Sequence, residues 1–221
     1  NLTVDLPTFD KTTAQLRKTR QISSSQKRDR LPTFDELERL TNYFVKKWHH
    51  SSYSYPMHLI MWFAIFSCRR EAEITRMQLN DYDEENLLWK IRDLKNPNGS
   101  KGNHKEFSVH DDCQQLIQLL LGENVRNRML KRGYDEKLFV PLSPKTIGSE
   151  FRNACKLLGI DDLHFHDLRH EGCTRLAEKG MTIPQIQQVS LHDSWSSLER
   201  YVSVKVRKNI ICADQILELI V

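Results

Sequence analysis

The sequence lacks what would place it in a membrane or an oxidising compartment. No apolar run is long enough to cross a bilayer, and no hydrophobic leader stands at the start. The five cysteines, Cys68, Cys113, Cys155, Cys173 and Cys212, are odd in number, widely scattered and free of any Cys-x-x-Cys pair. Neither a disulfide framework nor a cysteine zinc site fits that pattern, and a reducing cytoplasm with no membrane partner is the expected setting. There is also no internal repeat and no low-complexity segment.

What is present is the composition of a globular protein. The 221 residues, 39% hydrophobic and 28% charged, suffice for one full-sized domain with a real core. The net charge of +4 is unevenly placed, since residues 1–30 carry seven Lys/Arg against three Asp and the rest of the chain balances at 26 of each sign. Arg17, Lys18, Arg20, Lys27 and Arg28 in this Ser/Thr-rich opening read as an arm that could lie along phosphates. A solvated linker without a partner is the alternative.

Thr33-Phe34-Asp35-Glu36 is a capping box, with Glu36 three residues after the N-cap Thr33, and it opens a helix with apolar positions Leu37, Leu40, Phe44 and Val45. The folded domain is expected to begin near Leu31. His58 to Phe66 reads as a buried helix entered through Pro56. Residues Leu87 to Leu94 and Lys105 to Val109 read as two strands joined by a long basic tip that contains Lys95 and Lys101. Helices follow at Cys113 to Lys131, at Pro144 to Leu158 ended by Gly159, and at His166 to Lys179 ended by Gly180. Thr182 and Gln185 form a further capping box. The expected fold is mainly α with a small antiparallel β-sheet, followed by an apolar tail at 206–221.

The chemistry is concentrated in His166-Asp167-Leu168-Arg169-His170, then His192, then Tyr201 nine residues later. His166 and Arg169 stand at i and i+3 of a helix and share a face. A guanidinium offers a rigid fork of donors that matches phosphate oxygens and stays charged. An imidazole titrates near neutrality and can trade a proton. Tyr201 is a poor nucleophile at a free pKa of about 10, and needs neighbouring cations and a proton acceptor to attack phosphorus. Together these groups point to chemistry on nucleic acid.

In order and spacing these residues resemble the tyrosine recombinases, the integrases of phages and integrative elements. His166 to His170 is similar to that family's second catalytic box, and the segment through Gly180-Met181-Thr182-Ile183-Pro184, His192 and Arg200-Tyr201 continues the likeness. Ser67-Cys68-Arg69-Arg70-Glu71-Ala72-Glu73-Ile74 is similar to the first box. The resemblance implies catalytic roles for Arg70, Lys95, His166, Arg169, His192 and Tyr201, with Glu73 supporting Arg70, and a fold like the catalytic domain of tyrosine recombinases and type IB topoisomerases. It covers about residues 31–203. Leu191 stands where the family usually has Gly, Cys68 where a small residue is usual, and Ser203 where a His is usual.

What the resemblance implies is site-specific cleavage and rejoining of DNA through a 3′-phosphotyrosyl intermediate, for integration or excision of a mobile element. It implies no metal and no cofactor. The implied partners are double-stranded DNA attachment sites, a homotetramer on that DNA, and accessory DNA-bending or directionality proteins in a bacterial cytoplasm. On this reading residues 1–30 are an interdomain linker or arm, 31–205 the catalytic domain, and Lys101 and Lys105 further DNA contacts. The tail is expected to pack on its own domain in the free protein and to exchange between protomers on synapsis. Three rival readings remain. A metallohydrolase would use His166 and His170 at i and i+4, a type IB topoisomerase-like enzyme would need no target sequence, and a non-catalytic DNA-binding regulator would have no use for Tyr201.

Overall fold

A computed structural model describes residues 11–12, 15–16, 29–52, 54–94, 101–131, 135–201, 207 and 213–220. Helix α1, Phe34–His50, starts at the expected capping box: Glu36 N–H donates to Thr33 Oγ1 at 3.2 Å and Thr33 N–H to Glu36 Oε2 at 2.7 Å. Its inward face is Leu37, Leu40, Thr41, Phe44 and Trp48, while Val45 is only half-buried. The Arg30 guanidinium donates to Glu36 Oε1 at 2.5 Å and to the Asp161 carbonyl at 3.3 Å.

Helix α2, Met57–Ser67, has every residue buried. A helix that is apolar all round has to be the core element, because no face of it can meet water favourably. Trp62 donates its indole N–H to Thr41 Oγ1 at 3.0 Å, which satisfies the one polar atom of that ring and pins α1 on α2. His58 is 2% exposed and its Nδ1 has no partner, and burial drives its pKa down to about 3.

After the short helix α3, Glu71–Ile74, comes an antiparallel sheet of order β1-β2-β3, formed by β1 Tyr82–Asp83, β2 Leu88–Ile91 and β3 Lys105–Ser108. Trp89 pairs with Phe107 across it, and both rings point to the core. The two expected strands are thus shorter than the sequence pattern indicated. Leu87 and Asp93, at φ 54° and 50°, bracket β2 and take the chain out of extended geometry on either side. The two-residue strand β1 is too short to leave a periodic signal. The expected hairpin tip with Lys95 lies outside the described residues.

The single helix expected over Cys113 to Lys131 is in fact two, α4 Asp111–Leu121 and α5 Glu123–Leu130. Gly122 at φ −53°, ψ 136° turns the chain between them. Helix α6, Pro144–Leu158, has the expected start and its Gly159 stop at φ 63°, with Ser143 as N-cap. Helix α7, Asp167–Glu178, and helix α8, Ile183–Ser190, follow, the second behind the Thr182/Gln185 capping box. Helix α9, Ala213–Ile220, packs on α1 of its own chain and brings Ile216 into the main core at 1% exposure. The architecture is therefore mainly helical with a small antiparallel sheet. No helix among the described residues is long and apolar enough to cross a membrane.

The core assembles around α2, which α1, α4 and α7 pack against. Helices α2 and α7 approach closely at Gly172 on α7. A Cβ there would lie 2.0 Å from the Ile65 carbonyl oxygen and 2.8 Å from Cys68 Sγ, so the two helices meet backbone to backbone. Gly172→Ala should therefore cost about 3 kcal/mol or more, against ~1–3 kcal/mol for ordinary overpacking, although alanine is the better helix former. Urea unfolding measures this, and a neutral or stabilising alanine would show that α2 and α7 can separate freely.

Candidate active site

The last turn of α2 is followed by Cys68 in the left-handed region at φ 54°, then by Arg69 and Arg70 and the start of α3. This reversal aims two successive arginines differently. Arg70 remains partly exposed and donates to Glu73 Oε1 at 2.5 Å. Arg69 turns inward to 1% exposure, where its Nε donates to the Ser67 carbonyl at 2.9 Å and its Nη2 to the Val189 carbonyl at 2.7 Å. Its guanidinium also lies 4.9 Å from the Phe107 ring and 3.5 Å from Glu73 Oε2. Burial pushes the Arg69 pKa down to about 10.

Helix α7 supplies the second set. Arg169 is 2% exposed and donates from Nη1 to the Cys68 carbonyl at 2.5 Å, which ties the second box to the first. His166 stands at the N-terminal edge of α7 and is exposed, unlike Arg169. Partial desolvation, with the charges of Arg70 and Arg169 and the neighbouring His170, pushes the His166 pKa down to about 4. The same two arginines act on His192, which burial also keeps below its ordinary value. Burial works against the Glu73 carboxylate, but Arg69, Arg169 and Arg70 outweigh it and hold its pKa low. Arg70, Arg169, His166, His192 and Glu73 thus share one electrostatic neighbourhood, although Arg70 and Arg169 are far apart in sequence.

His192 follows α8 through Leu191, which is left-handed at φ 56°. Its Nδ1 is 2.8 Å from Ser190 Oγ, and its carbonyl accepts from Gln187 at 2.7 Å. The thiols of Cys68 and Cys173 are buried in one apolar cluster, and Cys68 Sγ donates to the Ile65 carbonyl at 3.7 Å. Tyr201 lies in a short 3-10 turn, Glu199–Tyr201, at 5% exposure among Cys68, Cys173, Leu176, Ile186, Val189 and Leu198. Its hydroxyl is 2.6 Å from His170 Nδ1. Arg207 donates to Glu171 at 2.8 Å and to Glu178 at 2.6 Å, which returns the chain beyond Tyr201 to α7.

Of the other expected residues, Lys95, Arg17, Lys18, Arg20, Lys27 and Arg28 lie outside the described residues. Lys101 is exposed, and Lys105 on β3 pairs with Asp193 at 2.5 Å, directly after His192. Sequence reasoning assigned no site role to Arg69 or Arg207, and assigned His170 one only as a metal ligand in the rival metallohydrolase reading. The signal for Arg69 was a second arginine placed immediately after a wholly apolar helix, too close to the core to reach water. For Arg207 no local signal exists, because its carboxylate partners lie a long way back in the chain.

A family model described as the phage integrase family matches residues 31–208, and the chain belongs to that family. It is 26% identical over 186 residues to the shufflon-specific DNA recombinase of Escherichia coli, a match that covers 82% of this chain and 42% of that protein. It is 24% identical over 153 residues to the integrase of Salmonella phage P22, covering 66% and 38% respectively. The chain therefore spans about two fifths of the length of these curated relatives. Among solved structures, the Tn1549 transposon integrase in complex with a circular intermediate DNA is similar at a TM-score of 0.59 and 15% identity, over 90% of this chain and 72% of that one. A lambda integrase dimer bound to a core site is similar at 0.55 and 14%, over 93% and 73%. These likenesses show the fold.

Leu191 and Cys68 both stand in left-handed backbone, at φ 56° and 54°, a region that glycine enters without steric cost. Leucine at φ 56° carries ~1–2 kcal/mol of strain, while its side chain, 8% exposed, contributes ~1.5–3 kcal/mol by burial. Leu191→Ala loses the burial and keeps the strain; Leu191→Gly loses the burial and relieves it. Glycine should thus be less destabilising than alanine by about 1 kcal/mol in denaturant unfolding, and the reverse order would place Leu191 outside the left-handed region.

The depressed imidazoles also set a pH dependence. His58 at about 3 and His166 at about 4 both lie below the unfolded value of about 6.5. Below about pH 6.5 the unfolded chain takes up protons that the folded chain refuses, so stability is full above that pH and is lost progressively toward about pH 3. Urea titrations at a series of pH values should show this decline, and a flat profile would mean that these rings are solvated.

Proposed function

We propose that this chain is the catalytic part of a site-specific DNA recombinase, an integrase that cleaves and rejoins DNA at the attachment sites of a mobile element. The observation that carries the reading is the gathering of Arg70, Arg169, His166 and His192 in one neighbourhood beside a tyrosine whose hydroxyl already meets an imidazole nitrogen at 2.6 Å. In this mechanism Tyr201 attacks the scissile phosphorus, forming a 3′-phosphotyrosyl bond and releasing a 5′-hydroxyl. Arg70 and Arg169 neutralise the non-bridging oxygens as charge builds in the pentacoordinate transition state, and His166 and His192 add hydrogen bonds that strengthen there. Glu73 holds Arg70 in place. Lys95 protonates the departing 5′-oxygen, a task for which an arginine is unsuited because its proton does not leave.

The phosphotyrosyl bond conserves the energy of the bond it replaces, so religation to another strand needs no nucleotide cofactor. Double-stranded DNA is the substrate and partner. The family's relatives support this, since the Tn1549 and lambda integrases are seen bound to DNA. A homotetramer on DNA, with accessory DNA-bending or directionality proteins, completes the proposed assembly. The basic residues Arg17, Lys18, Arg20, Lys27, Arg28, Lys101 and Lys105 are proposed to follow the phosphate backbone.

The test is covalent trapping on a nicked suicide duplex taken from the element's own attachment site. The wild-type chain should give an adduct that survives a denaturing gel. Tyr201→Phe removes one hydroxyl, so it should bind the duplex with unchanged affinity and give no adduct. An adduct of wild-type yield in Tyr201→Phe would move the nucleophile elsewhere.

A further inference from the structure

Tyr201 Oη and His170 Nδ1 lie 2.6 Å apart, a distance suited to proton transfer. His170 is one helical turn beyond His166 on α7, and the motif chemistry above gives it no part in the reaction. We infer that His170 is a catalytic residue, the base that takes the Tyr201 proton during cleavage and returns it on religation. This rests on Tyr201 being the nucleophile.

Three observations carry it. The first is the contact itself, made to the atom that must lose a proton. The second is the surroundings of the phenol. Tyr201 is 5% exposed and packed among Cys68, Cys173, Leu176, Val189 and Leu198, where bulk water is excluded and a phenolate with no cationic partner would be costly. An imidazole that becomes imidazolium as the phenol ionises supplies that partner at the moment it is needed. The third is the arrangement of the rings. The His170 ring centroid lies 6.4 Å from that of Tyr201 and 5.4 Å from that of His166, and His166 is the exposed member of the pair. His166 is thus placed to face a phosphate from the surface, with His170 behind it on the tyrosine.

The step balances. Neutral His170, with its hydrogen on Nε2, accepts the Tyr201 proton at Nδ1. The phenolate oxygen forms a bond to phosphorus while the bond from phosphorus to the 5′-oxygen breaks. That electron pair leaves on the 5′-oxygen, which takes a proton from the general acid. In religation the 5′-hydroxyl attacks, and the departing Tyr201 oxygen recovers its proton from the His170 imidazolium.

His170→Asn separates holding from proton transfer, because an asparagine amide can occupy the position of Nδ1 and keep a hydrogen bond without serving as a base. The rate of covalent adduct formation on the suicide duplex should fall about 100-fold in this variant, with duplex affinity unchanged. Placing difluorotyrosine at position 201 of the His170→Asn protein should restore about tenfold or more of that loss, since a more acidic phenol ionises with less help. If His170→Asn does not fold, His170→Gln is measured in the same way. Wild-type rates in His170→Asn, or a slow variant that difluorotyrosine does not improve, would overturn the assignment and leave Tyr201 as nucleophile. A wild-type chain that forms no adduct at Tyr201 would overturn the nucleophile reading and this inference together.

Discussion

The contact on which the rest of the site depends is the meeting of α7 with the end of α2 at Gly172. With only a hydrogen at that position, the α7 backbone reaches the Ile65 carbonyl and the Cys68 thiol. Arg169, one turn earlier on α7, can then reach the Cys68 carbonyl. The reversal at Cys68 is what lets Arg69 and Arg70 diverge, one into the core and one toward the surface. A bulkier residue at 172 would move α7 outward, and Arg169, His166 and His170 with it.

A site that gathers this many cations must offset both their mutual repulsion and the desolvation of the buried ones. Arg69 and Arg169 are almost fully buried and donate to backbone carbonyls, those of Ser67, Val189 and Cys68, while Arg69 Nη1 has no hydrogen-bond partner and lies 3.5 Å from Glu73 Oε2. Glu73, 2% exposed, is the carboxylate that Arg69, Arg169 and Arg70 all favour in its charged form. An acidic pair, Glu171 and Glu178, binds Arg207. The same α7 helix also carries Arg169 to the Cys68 carbonyl and His170 to the Tyr201 hydroxyl. Burial, reinforced by the crowd of positive charge, holds the pKa of both His166 and His192 below the ordinary imidazole value, which favours the neutral ring, able to accept a proton or to donate one from the opposite nitrogen.

Much of the fold was legible because its signals are local. The capping boxes at Thr33 and Thr182 depend on side chains that bond within three residues, and the stop at Gly159 on the left-handed conformation that glycine adopts without strain. The burial of α2 follows from having no polar face. Other features escaped for equally physical reasons. Gly122 splits one helical pattern into two by a backbone turn that leaves the apolar periodicity nearly continuous. Leu87 and Asp93 shorten the strands by adopting a conformation that neither residue type announces. Leu191 was visible as a departure from the resemblance, while its left-handed φ of 56° was not.

The sequence by itself determined the class of fold and the family likeness. The residue types at His166, Arg169, His192 and Tyr201, in that order and spacing, carry the resemblance to the tyrosine recombinases, and helix periodicity with capping boxes specifies most of the elements. Only the tertiary structure decided which groups meet. It placed Arg69 inward and Arg70 outward although they are neighbours, set His170 rather than His166 against the tyrosine hydroxyl, and brought Arg207 back to α7. The reason is range. Periodicity and capping act over one or two helical turns, whereas these contacts join residues 29 to 120 positions apart, and such pairings exist only once the helices have packed.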